Sequence, residues 1–237
     1  MAQRLFSRAR LGNALKTGDW RDVTACVTGR PDLLTHRDER GRNWLHLACA
    51  LPVGGHNRTA RSSIRIAETL IGGGLDINAP AFTEGAAFKA TPLWFAVAHG
   101  RNIALARWLL DHGSVPHHCL YAAAWNDDAA TIRLLMERGS DRQDDANDTP
   151  FIAAVGWKRF KAAEELLRQG WDVNFRSAKR QLTALHILAD RDDALHVRLL
   201  HRYGARADIP DGKGRTVAAI LTRKRKPEMR RLATLFG

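Results

Sequence analysis

No apolar run in the chain approaches the ~20 residues that a membrane-spanning helix needs, so no transmembrane segment is expected. The N-terminal stretch MAQRLFSRARLGNALKTG lacks the apolar core of a secretory signal. It also lacks acids, a faint likeness to an organelle transit peptide. Its apolar residues lead straight into the first folded segment, however, and read as a capping helix. Cysteine is scarce: Cys26, Cys49 and Cys119 are odd in number and widely spaced. That pattern argues against a disulfide framework and for reduced thiols in a cytoplasm-like compartment.

Signatures of chemistry are missing too. There is no Gly-rich phosphate loop of the P-loop or dinucleotide type. Gly72-Gly73-Gly74 closes a helical pattern rather than opening one, so the groups it would offer are carbonyls, the wrong sign for phosphate. No Ser or Cys nucleophile elbow is visible. His112, His117, His118 and Cys119 are metal-capable neighbours, but 117 and 118 do not easily converge. No Cys-x-x-Cys or His-x-x-x-His pair completes a tetrahedral site. The carboxylate pairs Glu164-Glu165 and Asp192-Asp193 are expected at solvated helix positions. The expectation is therefore a non-enzyme with no cofactor and no metal.

What is present is the composition of a folded protein: 237 residues, 45% hydrophobic and 26% charged, enough for one large domain or a repeat array. The net charge of +12 is concentrated at the ends. Residues 1–18 carry +4, residues 212–237 carry +7, and the long middle, 19–211, carries +1. The body is near neutral between two basic ends.

The dominant feature is self-similarity. Thr91-Pro92-Leu93-Trp94-Phe95-Ala96 closes at Gly113, and Thr149-Pro150-Phe151-Ile152-Ala153-Ala154 closes at Gly170. Related segments start at Asn43, His118, Thr183 and Thr216, and the last four starts are 31, 34 and 33 residues apart. Thr or Asn opens each helix as a cap, and Pro is tolerated at the first helical position because no helical N–H is lost there. A second helix ends in a pair such as Leu109-Leu110 or Leu166-Leu167, and a Gly follows it. Asp76-Ile77-Asn78 and Asp172-Val173-Asn174 lead out of two of these units. The segments Asp38–Asn43, Asp144–Thr149 and Asp211–Thr216 share an Asp followed three residues later by Gly or Asn, a tight-turn signal.

Together these motifs resemble the ankyrin repeat, whose signature is T-P-L-H-x-A at a period near 33. The resemblance covers roughly residues 11–237. It implies an all-α solenoid of about six or seven helix-turn-helix units with short hairpin fingers. The divisions read as one ankyrin-repeat domain over 1–237: an N-terminal cap at 11–38, repeats at 39–78, 79–116, 117–141, 142–174 and 175–208, and a basic C-terminal cap at 209–237. A final helix is expected over Glu228–Phe236, with Leu232, Leu235 and Phe236 facing inward. Departures from the period are extra residues at 51–62, which read as a loop, a lengthened finger at 79–90, and a nearly absent finger before His118.

The resemblance also implies where a partner binds: finger tips and the concave face of the first helices. By position these are Arg40, Arg42, Phe88, Arg180 and Lys213 from fingers, and His99, Trp125, Asn126, Trp157 and Arg191 from helix ends. Trp125 and Trp157 stand out because the repeat core requires no large side chain there, and exposed aromatics near Arg have the composition of interface hot spots. His46 and His186, in the T-P-L-H slot, imply structural hydrogen bonding. The other five tryptophans read as packing residues.

The expected function is a non-catalytic scaffold, monomeric on its own, binding a protein with an acidic surface in the cytoplasm. The excess of Arg over Lys is compatible with a GC-rich bacterium, and with an effector, inhibitor or immunity-type role there; an effector would be delivered into another cell. The alternative is electrostatic docking to nucleic acid or anionic lipid through the basic ends, above all Arg223, Lys224, Arg225 and Lys226. No nucleic-acid motif flanks that run.

Overall fold

The computed structural model describes residues 6–54, 58–82, 88–140 and 149–236. The finger at 144–148 lies outside them. The described chain is almost wholly helical: α1 Arg8–Thr17, α2 Trp20–Gly29, α3 Trp44–Cys49, α4 Ala60–Gly72, α5 Pro92–Phe95, α6 Ile103–Asp111, α7 Cys119–Trp125, α8 Ala129–Glu137, α9 Pro150–Gly156, α10 Phe160–Arg168, α11 Ala184–Asp190, α12 Ala194–Arg202, α13 Val217–Thr222 and α14 Pro227–Leu232. A π turn, Ala96–Gly100, continues α5. The one described ladder, among the described residues, is antiparallel, β1 Ala81–Phe82 against β2 Lys89–Ala90 in the long finger.

Several helix starts have a local cause. The side chains of Thr91, Thr149, Thr183 and Thr216 accept hydrogen bonds from the first-turn N–H groups that the helix itself leaves unpaired. At Asn43 and Thr183 the histidine three residues on closes the reciprocal bond back to the cap. The far ring nitrogen of each histidine then reaches the following finger: His46 Nε2 lies 2.8 Å from the carbonyl of Ala79, and His186 Nε2 lies 3.1 Å from that of Arg215. Both rings are fully buried, which fits their structural role.

The second helices end at glycines such as Gly170 and Gly204, at φ 82° and 81°, where a left-handed residue turns the chain out of the helix. The Asp-x-Asn exits tie neighbouring repeats together. Asp76 and Asp172 each accept the backbone N–H of the Asn two residues on. Asn78 then donates to the Gly113 carbonyl and accepts from Val115 N, and Asn174 does the same with Gly204 and Arg206. Two fingers share one scaffold: Asp38 accepts from the N–H groups of Arg40 and Arg42 and from the Arg42 guanidinium, and Asp211 from those of Lys213 and Arg215 and the Arg215 guanidinium.

The chain divides into two compact units, Met1–Ala122 with Glu137–Ser140, and Ala123–Met136 with Asp141–Gly237. In the first, α2 packs on α4 and α4 on α6, while α3 packs on the start of α5. In the second, α9 packs on α11, α11 on α13, and α12 on α14. First helices thus stack on first helices and second on second, burying Leu45, Leu93, Phe151, Leu185 and Val217 at their start. This is an all-α ankyrin-type solenoid architecture built repeat by repeat.

Three expectations are corrected. Glu165 is not solvated: it is fully buried, because Arg133, Arg168 and Gln169 all donate to its carboxylate. The extra segment 51–62 is not loop throughout: its last residues, from Ala60, belong to α4, which Thr59 caps, and Arg58 is buried with its guanidinium on the carbonyls of Leu15 and Ala48. The final helix begins at Pro227 and tightens into a 3-10 turn at Ala233–Phe236. Met229 and Leu232 fill its core, and Leu235 and Phe236 are only half-buried.

Candidate functional site

The seventh and eighth residues beyond each cap end the first helix. In the second unit these are Trp125 and Asn126, Gly156 and Trp157, Asp190 and Arg191, then Arg223 and Lys224. Packing does not require them, since the helix core lies on the earlier turns. Trp125 is 53% exposed and Trp157 37%. Their rings meet edge to face, centroids 4.9 Å apart at 79°. Gly156 is the counterpart of Trp125 in the next repeat. The Arg159 guanidinium lies 5.8 Å from the Trp125 ring, within cation–π range.

Beside Trp157 runs a groove of about 430 Å³ lined by Ile152, Leu182 and Ile187. Arg180, Asp190 and Arg191 stand at its edges. Arg191 donates to the carbonyls of Val155 and Gly156 at 3.0 and 2.9 Å. A cation suits that position, because the carbonyls lie at the negative end of a helix. Arg180 and Lys213 are exposed on their fingers, and Asn126 is half-buried at the end of α7.

In the first unit the finger and helix-end residues also converge. Arg40, Arg42, Phe82, Trp94, Phe95 and His99 line a groove of about 540 Å³. The long finger is fixed there by the Phe82 N–H, which donates to the Arg40 carbonyl at 2.9 Å. Phe82 is the exposed aromatic of that finger, at 62%, with Lys89 5.4 Å from its ring. Phe88 instead packs between Trp94 and His118, at centroid distances of 5.6 and 4.4 Å. His99 lies against Trp94 and Phe95, and its pKa is lowered by burial and by the nearby Arg42 charge. Arg42 is itself paired with Asp38 at 2.7 Å.

The basic run at 223–226 is folded against the preceding repeat. Lys224 Nζ sits 2.8 Å from the carboxylate of Asp192 and donates to the Asp190 carbonyl, and Lys226 Nζ is 3.3 Å from the same carboxylate. Arg230 donates to the carbonyls of Lys224 and Arg225. Arg223 and Arg225 are exposed.

Other chemistry-bearing groups among the described residues pack. His112 stacks on Trp108 at 3.9 Å, with Nδ1 2.7 Å from its carbonyl. Cys26, Cys49 and Cys119 are buried free thiols. Burial pushes the Cys49 thiol up to about 12, so the reactive thiolate is disfavoured. Sequence reasoning missed Arg159 and Arg58. A basic residue next to a helix-end Trp is the only local signal for the first, and nothing local marks the second.

No family model matches the chain. Among curated proteins it is similar to inversin from Gallus gallus, 32% identical over 112 residues, covering 46% of this chain and 10% of that protein. It is similar to inversin from Homo sapiens, 31% identical over 131 residues with coverages of 54% and 12%. It is also similar to alpha-latrotoxin-Lg1a from Latrodectus geometricus, 30% identical over 141 residues with coverages of 55% and 10%. The aligned stretch thus spans about a tenth of each of these relatives. Among solved structures, the ankyrin repeat domain of human ASB11 superposes with a TM-score of 0.74 at 20% identity, covering 97% of this chain and 99% of that one. The ankyrin repeat domain of Bcl-3 also gives 0.74, at 22% identity, with coverages of 97% and 98%.

Proposed function

The chain has the ankyrin-repeat fold, and we propose that it is a non-catalytic interaction module that grips a protein partner through its helix-end grooves and finger tips. The observation that carries this reading is the exposed Trp125–Trp157 pair beside an apolar groove edged by Arg180 and Arg191. Large apolar rings left in water at positions the core does not need are a cost to the free protein, and a partner that covers them recovers it. A rigid framework of capped, cross-tied repeats also binds with little ordering cost. The partner presents an acidic surface to Arg180, Arg191 and Lys213. The proposed setting is the cytoplasm, with the chain acting as a monomer. An effector role, which would carry it into another cell, and an inhibitor or immunity-type role are both uses of such a module.

The test is quantitative binding of a captured partner by the full chain and by a Trp125→Ala/Trp157→Ala variant of unchanged helicity. The expected result is a loss of affinity of at least about tenfold, or ~1.4 kcal/mol. Equal affinity for both would reject the groove as the binding surface.

The alternative, docking to nucleic acid or anionic membrane, rests on the exposed Arg223 and Arg225. It is the weaker reading because Lys224 and Lys226 already share the Asp192 carboxylate. It predicts binding that falls steeply with salt and is lost when 223–226 is neutralised.

A further inference from the structure

The helix-end residues of the second unit change character from one repeat to the next. Trp125 and Trp157 form an apolar rung. The next rung is Asp190 with Arg191, joined by Arg180 across the groove. The last is Arg223 with Lys224, lining a second depression together with Arg215. Asp190 links the two depressions: its carbonyl accepts from Lys224, and its carboxylate is 4.0 Å from Arg215. Among the described residues of this stretch the cations Arg180, Arg191, Arg215, Arg223, Lys224 and Lys226 face the carboxylates Asp190, Asp192 and Asp211, so positive charge is in excess. Arg191 spends two N–H donors on helix carbonyls and has others left from its five.

This geometry points to an extended acidic peptide segment as the occupant. A bulky apolar side chain sits on Trp125 and Trp157, and acidic side chains further along face first Arg191 with Arg180 and then Arg223. The spacing follows from two elementary lengths. Packed helices are ~8–10 Å apart and an extended chain advances ~3.3 Å per residue, so the acids fall about three and about six residues from the apolar one. A peptide fits this surface better than a nucleic acid does. The two indoles stand edge to face and form a notch, not the flat platform on which successive bases stack. The inference rests on the interaction reading above and adds the chemistry and spacing of the partner.

The test uses the full chain and short fluorescein-labelled synthetic peptides in a Ser/Gly background. Each carries one Phe and two Glu, with the Glu residues placed either about three and six positions from the Phe, in both chain directions, or directly beside it. Anisotropy titrations should show one spaced peptide binding about tenfold tighter than its composition-matched neighbour. Arg223→Glu, at an exposed position, should bring the two-Glu peptide down to the affinity of one carrying only the nearer Glu. Equal affinities for the spacing isomers would overturn the inference. So would equal binding of Lys-for-Glu peptides, or a single-stranded oligonucleotide that displaces the peptide at equal charge concentration. If no peptide binds while a captured partner still responds to the Trp125/Trp157 variant, the inference fails and the interaction reading stands. If the partner ignores that variant, the interaction reading fails.

Discussion

Arg133 grips the carboxylate of Glu165 with two parallel hydrogen bonds, Nε to Oε1 at 3.1 Å and Nη2 to Oε2 at 2.9 Å. The Glu165 side chain is 1% exposed, whereas that of Arg133 is 53% exposed. The pair is therefore asymmetric: water can replace Glu165 as the partner of Arg133, but little can replace Arg133 for Glu165. Arg133→Ala should cost about 1–3 kcal/mol, the usual penalty of an under-satisfied buried acceptor, cushioned by Gln169 and Arg168. Glu165→Ala should cost about 3 kcal/mol or more, because it empties a buried site ringed by donors. The hydrogen bond from Arg133 lowers the Glu165 pKa, outweighing burial, so this stabilisation is complete above the ordinary carboxylate range and is lost as pH falls below it. Urea denaturation of the three proteins at neutral and acidic pH measures each statement.

Glu165 also marks where the sequence stops being legible. The helices, caps, closing glycines and Asp-x-Asn ties repeat with the same period, and a residue whose job is set by its own turn can be read from its neighbours. Thr183 and Thr216, which cap their own helices, are of this kind. Glu165 and Arg58 are not: their partners are 32 residues away at Arg133 and 43 and 10 away at Leu15 and Ala48. A charged side chain on a helix reads as solvated until the neighbouring repeat is placed beside it. The candidate site behaves the same way. The exposure of Trp125 and Trp157 follows from their slots, but their edge-to-face contact and the Arg159 cation follow only from how one repeat sits on the next. In the long finger the sequence points to Phe88 as the exposed ring, and the structure reverses this. The short β1–β2 ladder decides it, aiming Phe82 outward and Phe88 onto Trp94.

Acid should weaken the first unit through His46. Burial lowers its pKa to about 4 from an ordinary 6.5, against the opposing pull of the Ala79 carbonyl. Between those values the unfolded chain binds a proton that the folded one excludes, so stability falls as pH falls through the window. From pH 7 to about 5.5 the wild type should lose ~1 kcal/mol more than His46→Gln does. Urea midpoints at the two pH values provide the comparison. Parallel losses in both proteins would mean that His46 accepts its proton while folded.

Two glycines at comparable helix ends should respond in opposite directions. A Cβ on Gly100 would overlap the carbonyl of Cys49 in the preceding repeat, a backbone atom that cannot swing away. Gly100→Ala should cost about 3 kcal/mol. A Cβ on Gly156 meets nothing within 4 Å, and that residue does not need positive φ. Gly156→Ala should be neutral or stabilise by up to about 1 kcal/mol through the lower backbone entropy of the unfolded chain. Thermal melts of the two variants side by side check both, and a Gly100→Ala protein as stable as wild type would contradict the close packing at Cys49.

Arg58 makes the sharpest case for a structural role inside an irregular loop. Its residue is 2% exposed, and its guanidinium donates to the last-turn carbonyls of two helices, Leu15 in α1 and Ala48 in α3. Burial lowers its pKa, yet an arginine stays charged, and the two helix C-termini supply the negative potential that keeps the charge tolerable. Gly18, where α1 ends, packs against the Arg58 backbone, so the loop and the helix end are fitted to each other. Arg58→Met keeps most of the stem volume but removes the charged donor from both carbonyls, leaving each only its local backbone N–H, from Gly18 to Leu15 and from Leu51 to Ala48, and should cost about 1–3 kcal/mol. Arg58→Lys keeps the charge but has no planar fork to span two helices, and should recover less than half of that loss. Hydrogen exchange should localise the damage, with amides in α1 and α2 losing protection before those in α9–α12. A uniform loss of protection, or a lysine variant as stable as wild type, would show that charge alone, without bridging, accounts for Arg58.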